Sequence, residues 1–519
     1  EIIFKILEAQ VVDEFGHYTE QRKVKPKEWS EKFRSLQPDT VPLQVSEPPS
    51  INLDRPGPLK QFLIYVSRDF RSKISDRQYV ALTLLVAPVL AFILSSIIRY
   101  TPDPATREYY FSRNENIPVY IFMSVIVAAF LGLTQSAEEI FRDRKILKRE
   151  QFLNLNRHSY LLAKIAFLIV ISSIQSLLFV LVANSILGIR GLSFNYWYAL
   201  LATSFSANML GLIISGSLRS VISIYIVIPL LLIPMMILSG AMFPFDKLNR
   251  LVTRTDKVPL IAEMMPTRWT YEALMVSQFR DNLYNSVVYN NEGETHYSLE
   301  KKISIADFNN VYRLPELRRI LSQTKDMLET GSGDTELIKG NTRLLAGELR
   351  KAAGYKGAPG FSLARSINAA TLTPATLDSI EAYISDLSMF FNEVSRRAEI
   401  TRNQFLMLNA GKLRAMEKNY YNYKLEEIVT KYYETDKILR YRDTFIQNTD
   451  PVYLDPDKKG MLCFRSHFFA PSKNIFGISF DTFNFNLSLI FAGALLLYVM
   501  LYTDLIRRIM NFSWKFRSR

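Results

Sequence analysis

The chain has 519 residues, of which 48% are hydrophobic and 22% are charged, so apolar segments must alternate with a large polar portion. A single cysteine, Cys463, excludes an intramolecular disulfide and a cysteine-cluster metal site, and the four histidines show no ligand spacing. The net charge of +13 indicates contact with anionic lipid, and we predict no metal site and no nucleic-acid partner.

Residues 1–57 are predicted to form a cytoplasmic segment that ends in a proline-rich linker. After the linker, charged residues occupy some helical faces while apolar residues recur at helical spacing at Leu59, Phe62, Val66, Phe70 and Ile74. This pattern predicts an amphipathic helix that lies along the cytoplasmic membrane surface before the first span.

Membrane spans are predicted from length and polarity, because a spanning helix needs about 20 mostly apolar residues. Six windows meet this requirement: 79–98, 117–136, 160–187, 194–218, 221–243 and 485–505. Buried core helices of a soluble protein are the alternative, but six uncharged runs of this length exceed what a globular core uses. Six crossings place both termini on the same side of the membrane.

The loop between the second and third windows, 138–150, has the sequence EEIFRDRKILKRE. Its basic residues lie close to the membrane ends, where an excess of Lys and Arg marks the cytoplasmic side. The loop and both termini are therefore predicted to be cytoplasmic. The C-terminal tail supports this orientation with further basic residues at Arg507, Arg508, Lys515, Arg517 and Arg519.

The spans carry no Asp, Glu, Lys or Arg at bilayer depth apart from Lys164 and Asp504, which are placed near helix ends. Proton- or ion-coupled transporters usually carry such residues as relays, so the spans favour energy delivered from outside the bilayer. No GxxxxGK[ST] motif occurs, and the chain therefore has no nucleotide-hydrolysing site of its own.

Two polar stripes run along the spans. Ser204, Asn208, Gly211 and Ser215 share one face of the fourth span, which indicates helix packing. A second stripe on the second span could serve packing or a cavity equally well: Ser124, Ala128, Leu131 and Gln135. Pro229 and Pro234 predict a kink in the fifth span, beside either a pathway or a packed neighbour.

Between the fifth and sixth spans lies the largest polar region, 281–481, which the topology places outside the cytoplasm. Its helical spacing is clearest at Leu377, Ile380, Ile384, Leu387, Phe391 and Val394. The predicted fold is thus an all-α integral membrane protein with six spans, an amphipathic helix and a mainly helical insertion. Its domains are 1–57, a transmembrane domain at 58–280, the insertion at 281–481, and the last span with its tail at 482–519.

This order of elements, with PMMILSGAMFPF after the fifth span and then MMPTRWTYEAL, resembles the transmembrane half of ABCG/White-type transporters of the ABC-2 exporter class, type V. The resemblance covers 58–280 and 485–519. The stretch from Asp143-Arg144 to Arg149-Glu150 is similar to that family's coupling helix. The opening EIIFKILEAQVVDEFG is similar to the sequence that follows the nucleotide-binding domain in bacterial members, which implies an upstream domain that binds ATP and Mg²⁺.

The resemblance also implies functional residues. The coupling set, in which Arg68 is expected to meet an acidic residue of the loop, is Arg68, Glu138, Asp143, Arg144, Arg149 and Glu150. The second and fifth spans line the cargo path in the family, which gives Ser124, Ala128, Leu131, Gln135, Ile233, Met236, Ala241 and Met242. The segment after the fifth span is expected to be re-entrant, with Pro266, Arg268, Trp269 and Glu272. The role of the insertion does not transfer from the family.

We therefore predict the membrane-spanning subunit of an ATP-driven exporter or floppase in the bacterial inner membrane. It would act as a dimer, most simply a homodimer, in contact with lipid, and its apolar path suits an amphipathic or lipid-like cargo. The alternative is a signalling or assembly protein whose external domain binds a partner while no cargo crosses. An ion channel is a third reading, but the chain lacks a filter motif.

Overall fold

The computed structural model describes residues 6–14, 16, 18–36, 56–101, 108–150, 156–249, 257–330, 335–361, 367, 373–456 and 464–509. It separates into two compact units, Glu1–Gly57 and Pro58–Arg519. The first unit pairs strand β1 (Gln10–Val12) with strand β2 (Tyr18–Arg22) in antiparallel fashion and continues into helix α1 (Pro26–Leu36). Most of the proline-rich linker and the basic residues at 515–519 lie outside the described residues.

The second unit is mainly helical. Its helices in the membrane domain are α2 (Pro58–Ser75), α3 (Arg77–Ile98), α4 (Ile117–Ser136), α5 (Glu139–Glu150), α6 (Arg157–Leu187), α7 (Ser193–Ser217), α8 (Val221–Ile237), α9 (Leu260–Glu263) and α10 (Pro266–Arg280). The remaining helices are α11 (His296–Phe308), α12 (Leu314–Thr330), α13 (Thr335–Ala353), α14 (Pro374–Tyr420), α15 (Tyr423–Thr430) and α16 (Thr482–Tyr502). Two antiparallel hairpins join β3 (Ile438–Tyr441) to β4 (Thr444–Gln447) and β5 (Ser472–Ile475) to β6 (Ile478–Asp481).

Five helices of the described residues are long and apolar enough to cross a membrane: α3, α4, α6, α7 and α16. This confirms an all-α membrane protein. The window at 221–243 was predicted to be one span, but α8 ends at Ile237 after 17 residues. It ends there because Gly240 turns the chain at φ +81°, and Pro229 and Pro234 have already removed two backbone donors. The count of six crossings therefore stays a prediction.

Helix α2 presents its apolar side outward and its charged side to the bundle. Leu59, Leu63 and Ile74 are more than half exposed, whereas Asp69 is buried. An aqueous surface helix would show the opposite arrangement. The exposed apolar face of α2 is therefore suited to contact with lipid at the membrane surface.

The centre of the bundle is the close pair α4 and α7. The hydroxyl of Ser204 donates to the carbonyl of Ala128 at 2.7 Å, so the two helices are joined directly. A Cβ placed on Gly132 would lie 2.6 Å from the Ser204 carbonyl oxygen. Only glycine permits this approach, as is usual where small residues bring membrane helices together.

The insertion has a hydrophobic core of its own. Helices α12, α13 and α14 bury Leu317, Ile320, Leu345, Leu349 and Leu387, and Phe445 of β4 closes the core. The predicted apolar spacing falls on α14, where its first five positions are buried and Val394 is partly buried. Helix α14 is 47 residues long and is kinked at Asn409.

The insertion contacts the spans at the end of the bundle opposite to α5. The amide of Asn422, just before α15, donates at 2.8 Å to the carbonyls of both Phe111 and Asn114. Those two residues lie in the turn that leads into α4, whereas α5 follows the other end of α4. The insertion and α5 therefore contact opposite ends of the same helix.

Candidate functional site

A buried lysine joins three helices where α5 meets the bundle. The Nζ of Lys164, on α6, lies 2.9 Å from Asp69 of α2 and 2.9 Å and 3.3 Å from Asp143 and Glu139 of α5. The Lys164 side chain is only 4% exposed. One cation with three carboxylates in a poorly hydrated site is held by strong interactions, because an unpaired partner there would be costly. The three helices are therefore fixed to one another at this point.

Further polar contacts surround this lysine. The Tyr160 hydroxyl donates to Asp143 at 3.0 Å, and Lys73 of α2 forms an ion pair with Glu139. Burial lowers the pKa of Lys73, although the neighbouring Glu139 opposes that shift. We call the set Asp69, Lys73, Glu139, Asp143 and Lys164 the charged junction. Each carboxylate of the junction has a lysine Nζ within 3.3 Å.

The structure brings Arg68 together with one of the three acidic residues expected to meet it. Arg68 Nη1 donates to Glu150 Oε1 at 2.9 Å, and the guanidinium lies over the Tyr65 ring at 4.9 Å. This pair links the far end of α5 to α2 and is partly exposed on both sides. Glu138 is used elsewhere, because it accepts a hydrogen bond from Tyr225 of α8 at 2.5 Å.

Arg144 binds the end of α7 instead of an acidic partner. Its Nη2 donates to the carbonyls of Ser215 at 3.0 Å, Gly216 at 3.2 Å and Leu218. The Ser215 hydroxyl in turn accepts hydrogen bonds from the backbone of Ile140 and Phe141, both at 3.0 Å. Helix α5 is thereby attached to α7 as well as to α2 and α6, while Arg149 is exposed on the outer side of α5.

The predicted re-entrant segment forms α9 and α10, and α10 is almost completely buried from Pro266 to Phe279. Glu272 accepts hydrogen bonds from Lys473 at 2.8 Å, Asn486 at 2.9 Å and the backbone of Phe469 at 3.1 Å. Its carboxylate is also 3.3 Å from Arg268. Burial alone would raise the pKa of Glu272, but Arg268 and Lys473 hold that pKa below its usual range.

Arg268 and Trp269 complete this segment. The Arg268 guanidinium lies over the Trp269 ring at 3.8 Å, and the Trp269 indole donates to the Glu263 carbonyl at 2.7 Å. Lys473 belongs to β5 of the insertion and Asn486 belongs to α16. The single carboxylate of Glu272 therefore binds α10, the insertion and α16 together.

The residues expected to line a cargo path do not form one surface. Ser124, Ala128 and Leu131 are buried between α4, α6 and α7, around a void of only about 10 Å³, and Gln135 is partly buried on the same helix. Helix α4 faces α8 with a different set, which includes Ala129 and Leu133. The α4 stripe is packed against α6 and α7 in this structure, and a cargo path along it stays a prediction.

The other residues of that expected path, in α8 and just after it, are more accessible. Ile233 is 54% exposed and Met242 is 50% exposed, while Met236 and Ala241 are partly buried. Ala241 and Met242 border a cavity of about 310 Å³ between the end of α8 and the insertion, which we call the outer cavity. Its wall combines aromatic side chains with charged and amide groups, among them Tyr271, Tyr433, Phe468, Phe469, Asp246, Lys431 and Asn448.

Sequence reasoning missed several residues of these networks. It treated Lys164 as a helix-end lysine and did not single out Lys73, Glu139 or Lys473. The signal available was modest: Asp69 and Lys73 lie four residues apart on one face of an amphipathic helix, and that face needs a charged partner. Lys473 had no local signal, because its partner is 201 residues away.

These arrangements hold helices together and contain no catalytic constellation. No group of three or more His, Cys, Asp or Glu in the part of the chain that the structure describes could hold a metal ion. The charged junction can transmit displacement, because ion pairs at three helices make α2, α5 and α6 move as one body.

Comparison with known proteins agrees with this description. The family model described as ABC-2 type transporter, ABC2_membrane, matches residues 60–279. The ABC transporter ATP-binding/permease protein Rv1747 of Mycobacterium tuberculosis is 23% identical over 249 residues, which cover 46% of this chain. The match spans only 27% of the length of that relative. Because the matched segment contains four of the five long apolar helices, the helix α5 bound to them and the buried α10, residues 60–279 are the membrane domain of an ABC-2 type transporter.

Proposed function

We propose that this membrane subunit of an ABC transporter exports or flips an amphipathic or lipid-like cargo across a bacterial inner membrane. It would act as a homodimer whose ATP- and Mg²⁺-binding domain lies upstream on the same polypeptide, with both termini in the cytoplasm. The charged junction carries this proposal. It connects α5, the helix that would receive force from an ATPase domain, to α2 and α6 through the buried Lys164.

Force applied to α5 would reach the spans by two routes. One passes through Lys164 to α6, and the other passes through Arg144 and Ser215 to the end of α7. Helix α7 is joined to α4 at Gly132 and Ser204, so a displacement of α7 would move α4 as well. A closely packed bundle transmits such movements because it has little free volume to absorb them.

The outer cavity supports the choice of cargo. Five aromatic side chains and several charged or amide groups line it together, and such a mixture suits a small amphipathic molecule. It lies where α8 ends and the insertion begins, at the far end of the bundle from α5. We propose that cargo leaves the membrane domain through this cavity.

Reconstitution tests the proposal. The full chain with its ATPase domain would be placed in vesicles that contain a fluorescent phospholipid, and chemical quenching of the outer leaflet would report its movement. We expect ATP to accelerate the movement and a non-hydrolysable ATP analogue to leave it at the rate of empty vesicles. An ATP-hydrolysing complex that moves neither lipids nor detergent-like amphiphiles would contradict transport.

A second function is favoured by the Glu272 network. Because Lys473 of the insertion is bound to the re-entrant helix, movement of the spans would displace the external domain even if no cargo crossed. The chain would then act on an extracytoplasmic partner of the insertion. Distance labels on α12 and α3 distinguish the two functions: an ATP-driven distance change without any amphiphile movement supports the second.

A further inference from the structure

A second, larger cavity opens at the end of the bundle where α5 lies. It has a volume of about 570 Å³ and is formed by α5 together with the adjoining ends of α6, α7 and α16. Its size is within the range of roughly 300–1,000 Å³ that is typical of ligand sites. We call it the basic cavity, because five cationic side chains line it: Arg144, Lys148, Arg157, Arg219 and Arg507.

Among the described residues that line the cavity, carboxylates are far fewer than cations. Asp504 is the one carboxylate among the lining residues, and it already forms an ion pair with Arg157 at 2.6 Å. Arg144 binds neutral backbone carbonyls of α7. Within the described residues, no ion pair joins Lys148 or Arg507 to a carboxylate.

The cations also repel one another. Burial, followed by the nearby charges of Arg507 and Arg219, lowers the pKa of the Arg144 guanidinium. Arg144 is partly buried and the other four cations are exposed, and like charges gathered around one cavity are unfavourable unless an anion is bound between them. Guanidinium groups bind phosphate oxygens especially well, because their planar donors match that geometry.

The rest of the wall is apolar. Ile140 and Leu147 of α5, Leu161 of α6 and Leu501 of α16 line the same cavity. A free phosphate ion would gain nothing from these side chains. A phosphate attached to a glycerol and acyl chains would satisfy the cations and the apolar wall together.

We propose that the basic cavity binds the phosphate headgroup of an anionic phospholipid from the leaflet on the side of α5. This site is separate from the outer cavity, and its occupant is a bound lipid, not the cargo. Because α5, α6, α7 and α16 all contribute to the wall, the lipid would hold α5 against the spans. The assignment of that leaflet to the cytoplasm rests on the topology proposed above.

Two double variants of equal charge test the site in the full chain, together with its ATPase domain, in detergent. Lys148→Gln with Arg507→Gln removes two cations of the cavity. Lys145→Gln with Arg508→Gln removes two exposed cations that are sequence neighbours but do not line it. Native mass spectrometry without nucleotide would measure retention of phosphatidylglycerol against phosphatidylcholine, so that a failure of transport would not affect the result.

We expect the wild type and the Lys145/Arg508 variant to prefer phosphatidylglycerol, and the Lys148/Arg507 variant to bind it about 30-fold more weakly. Equal losses in both double variants would overturn the site in favour of general surface charge. Equal competition by inorganic phosphate or glycerol 3-phosphate would overturn the lipid as the source of the phosphate. The proposal would also be overturned if the wild-type complex showed no lipid preference and α5 could be cross-linked to an acidic segment of the ATPase domain. In that case the ATPase domain, and not a lipid, would supply the negative charge.

Discussion

The side-chain nitrogen of Lys473 lies 2.8 Å from a carboxylate oxygen of Glu272, and neither side chain has any exposure to solvent. The two residues are 201 positions apart, in a hairpin of the insertion and in the buried helix α10. The same carboxylate is 3.3 Å from Arg268, which is 1% exposed. One anion thus neutralises two buried cations, and this imbalance leads to the first prediction.

Glu272→Gln is expected to destabilise the protein more than Lys473→Met does. The first variant leaves Arg268 and Lys473 without their counter-ion, at a cost of about 3–5 kcal/mol, whereas the second leaves Glu272 paired with Arg268. Thermal unfolding in detergent would measure both variants. Asp455→Asn, which breaks the exposed pair with Lys301, is the control and should cost less than about 1 kcal/mol. Equal losses of stability in Glu272→Gln and Lys473→Met would contradict the conclusion that one carboxylate neutralises both cations.

Lys164→Met should both destabilise the bundle and uncouple ATP hydrolysis from transport. Among the described ion pairs, it removes the only cation within 3.3 Å of Asp69 and of Asp143. We expect a loss of about 3 kcal/mol in unfolding free energy, because Asp69 then keeps only Arg68 at 3.8 Å and Asp143 keeps only the hydrogen bond from Tyr160. Lys145→Met, at an exposed position of α5, should be neutral. Normal cargo-stimulated ATPase activity in Lys164→Met would argue against force transmission through the junction.

Arg68→Ala should lower cargo-stimulated ATPase activity with little change in stability. Its pair with Glu150 is about one-third exposed, so the stability cost should stay below about 1 kcal/mol. The exposed neighbour Arg71→Ala is the matched control. Restoration of coupling in Arg68→Glu combined with Glu150→Arg would establish the pair as the cause, and failure of that exchange would assign the effect to Arg68 alone.

Gly132→Ala should weaken the pair α4 and α7. A methyl group there would lie 2.6 Å from a backbone oxygen, so one helix must shift, at a cost of about 1–3 kcal/mol. Gly493→Ala in α16 is the control, because a Cβ at that position meets nothing within 4 Å. That control should be neutral or slightly stabilising, since alanine favours a helix over glycine. Unfolding midpoints in detergent would measure the difference between the two variants. Equal midpoints would contradict the conclusion that α4 and α7 need glycine at position 132.

His467 should make the protein less stable in acid. Burial lowers its pKa to about 4, and its Nε2 donates to the Pro451 carbonyl at 2.9 Å. The unfolded chain binds a proton near pH 6.5 while the folded chain does not, so stability falls as the pH drops from about 6.5 to about 4. The loss should approach about 3 kcal/mol at the lower pH. His467→Gln should flatten this part of the pH profile, and the exposed His158→Gln should leave it unchanged.

The sequence predicted most of the helices but not which helices contact one another. Apolar length predicted the five helices that are long enough to cross a membrane, and helical spacing predicted the face of α14 that packs against α12 and α13. Helix α4, in contrast, is buried on nearly every side, so its polar stripe could not indicate which helix it would face. The contacts of Lys164 and Lys473 depend on segments distant in sequence, and pairing at that distance has no local pattern.

The position of Asn422 makes the insertion a reporter of movements of the spans. Its amide holds the two carbonyls that precede α4, so a tilt of α4 would carry α15 with it. Spectroscopic labels on the insertion could then follow the spans while remaining in water. The sequence simplifies this design, since replacing Cys463 alone yields a cysteine-free background for placing labels.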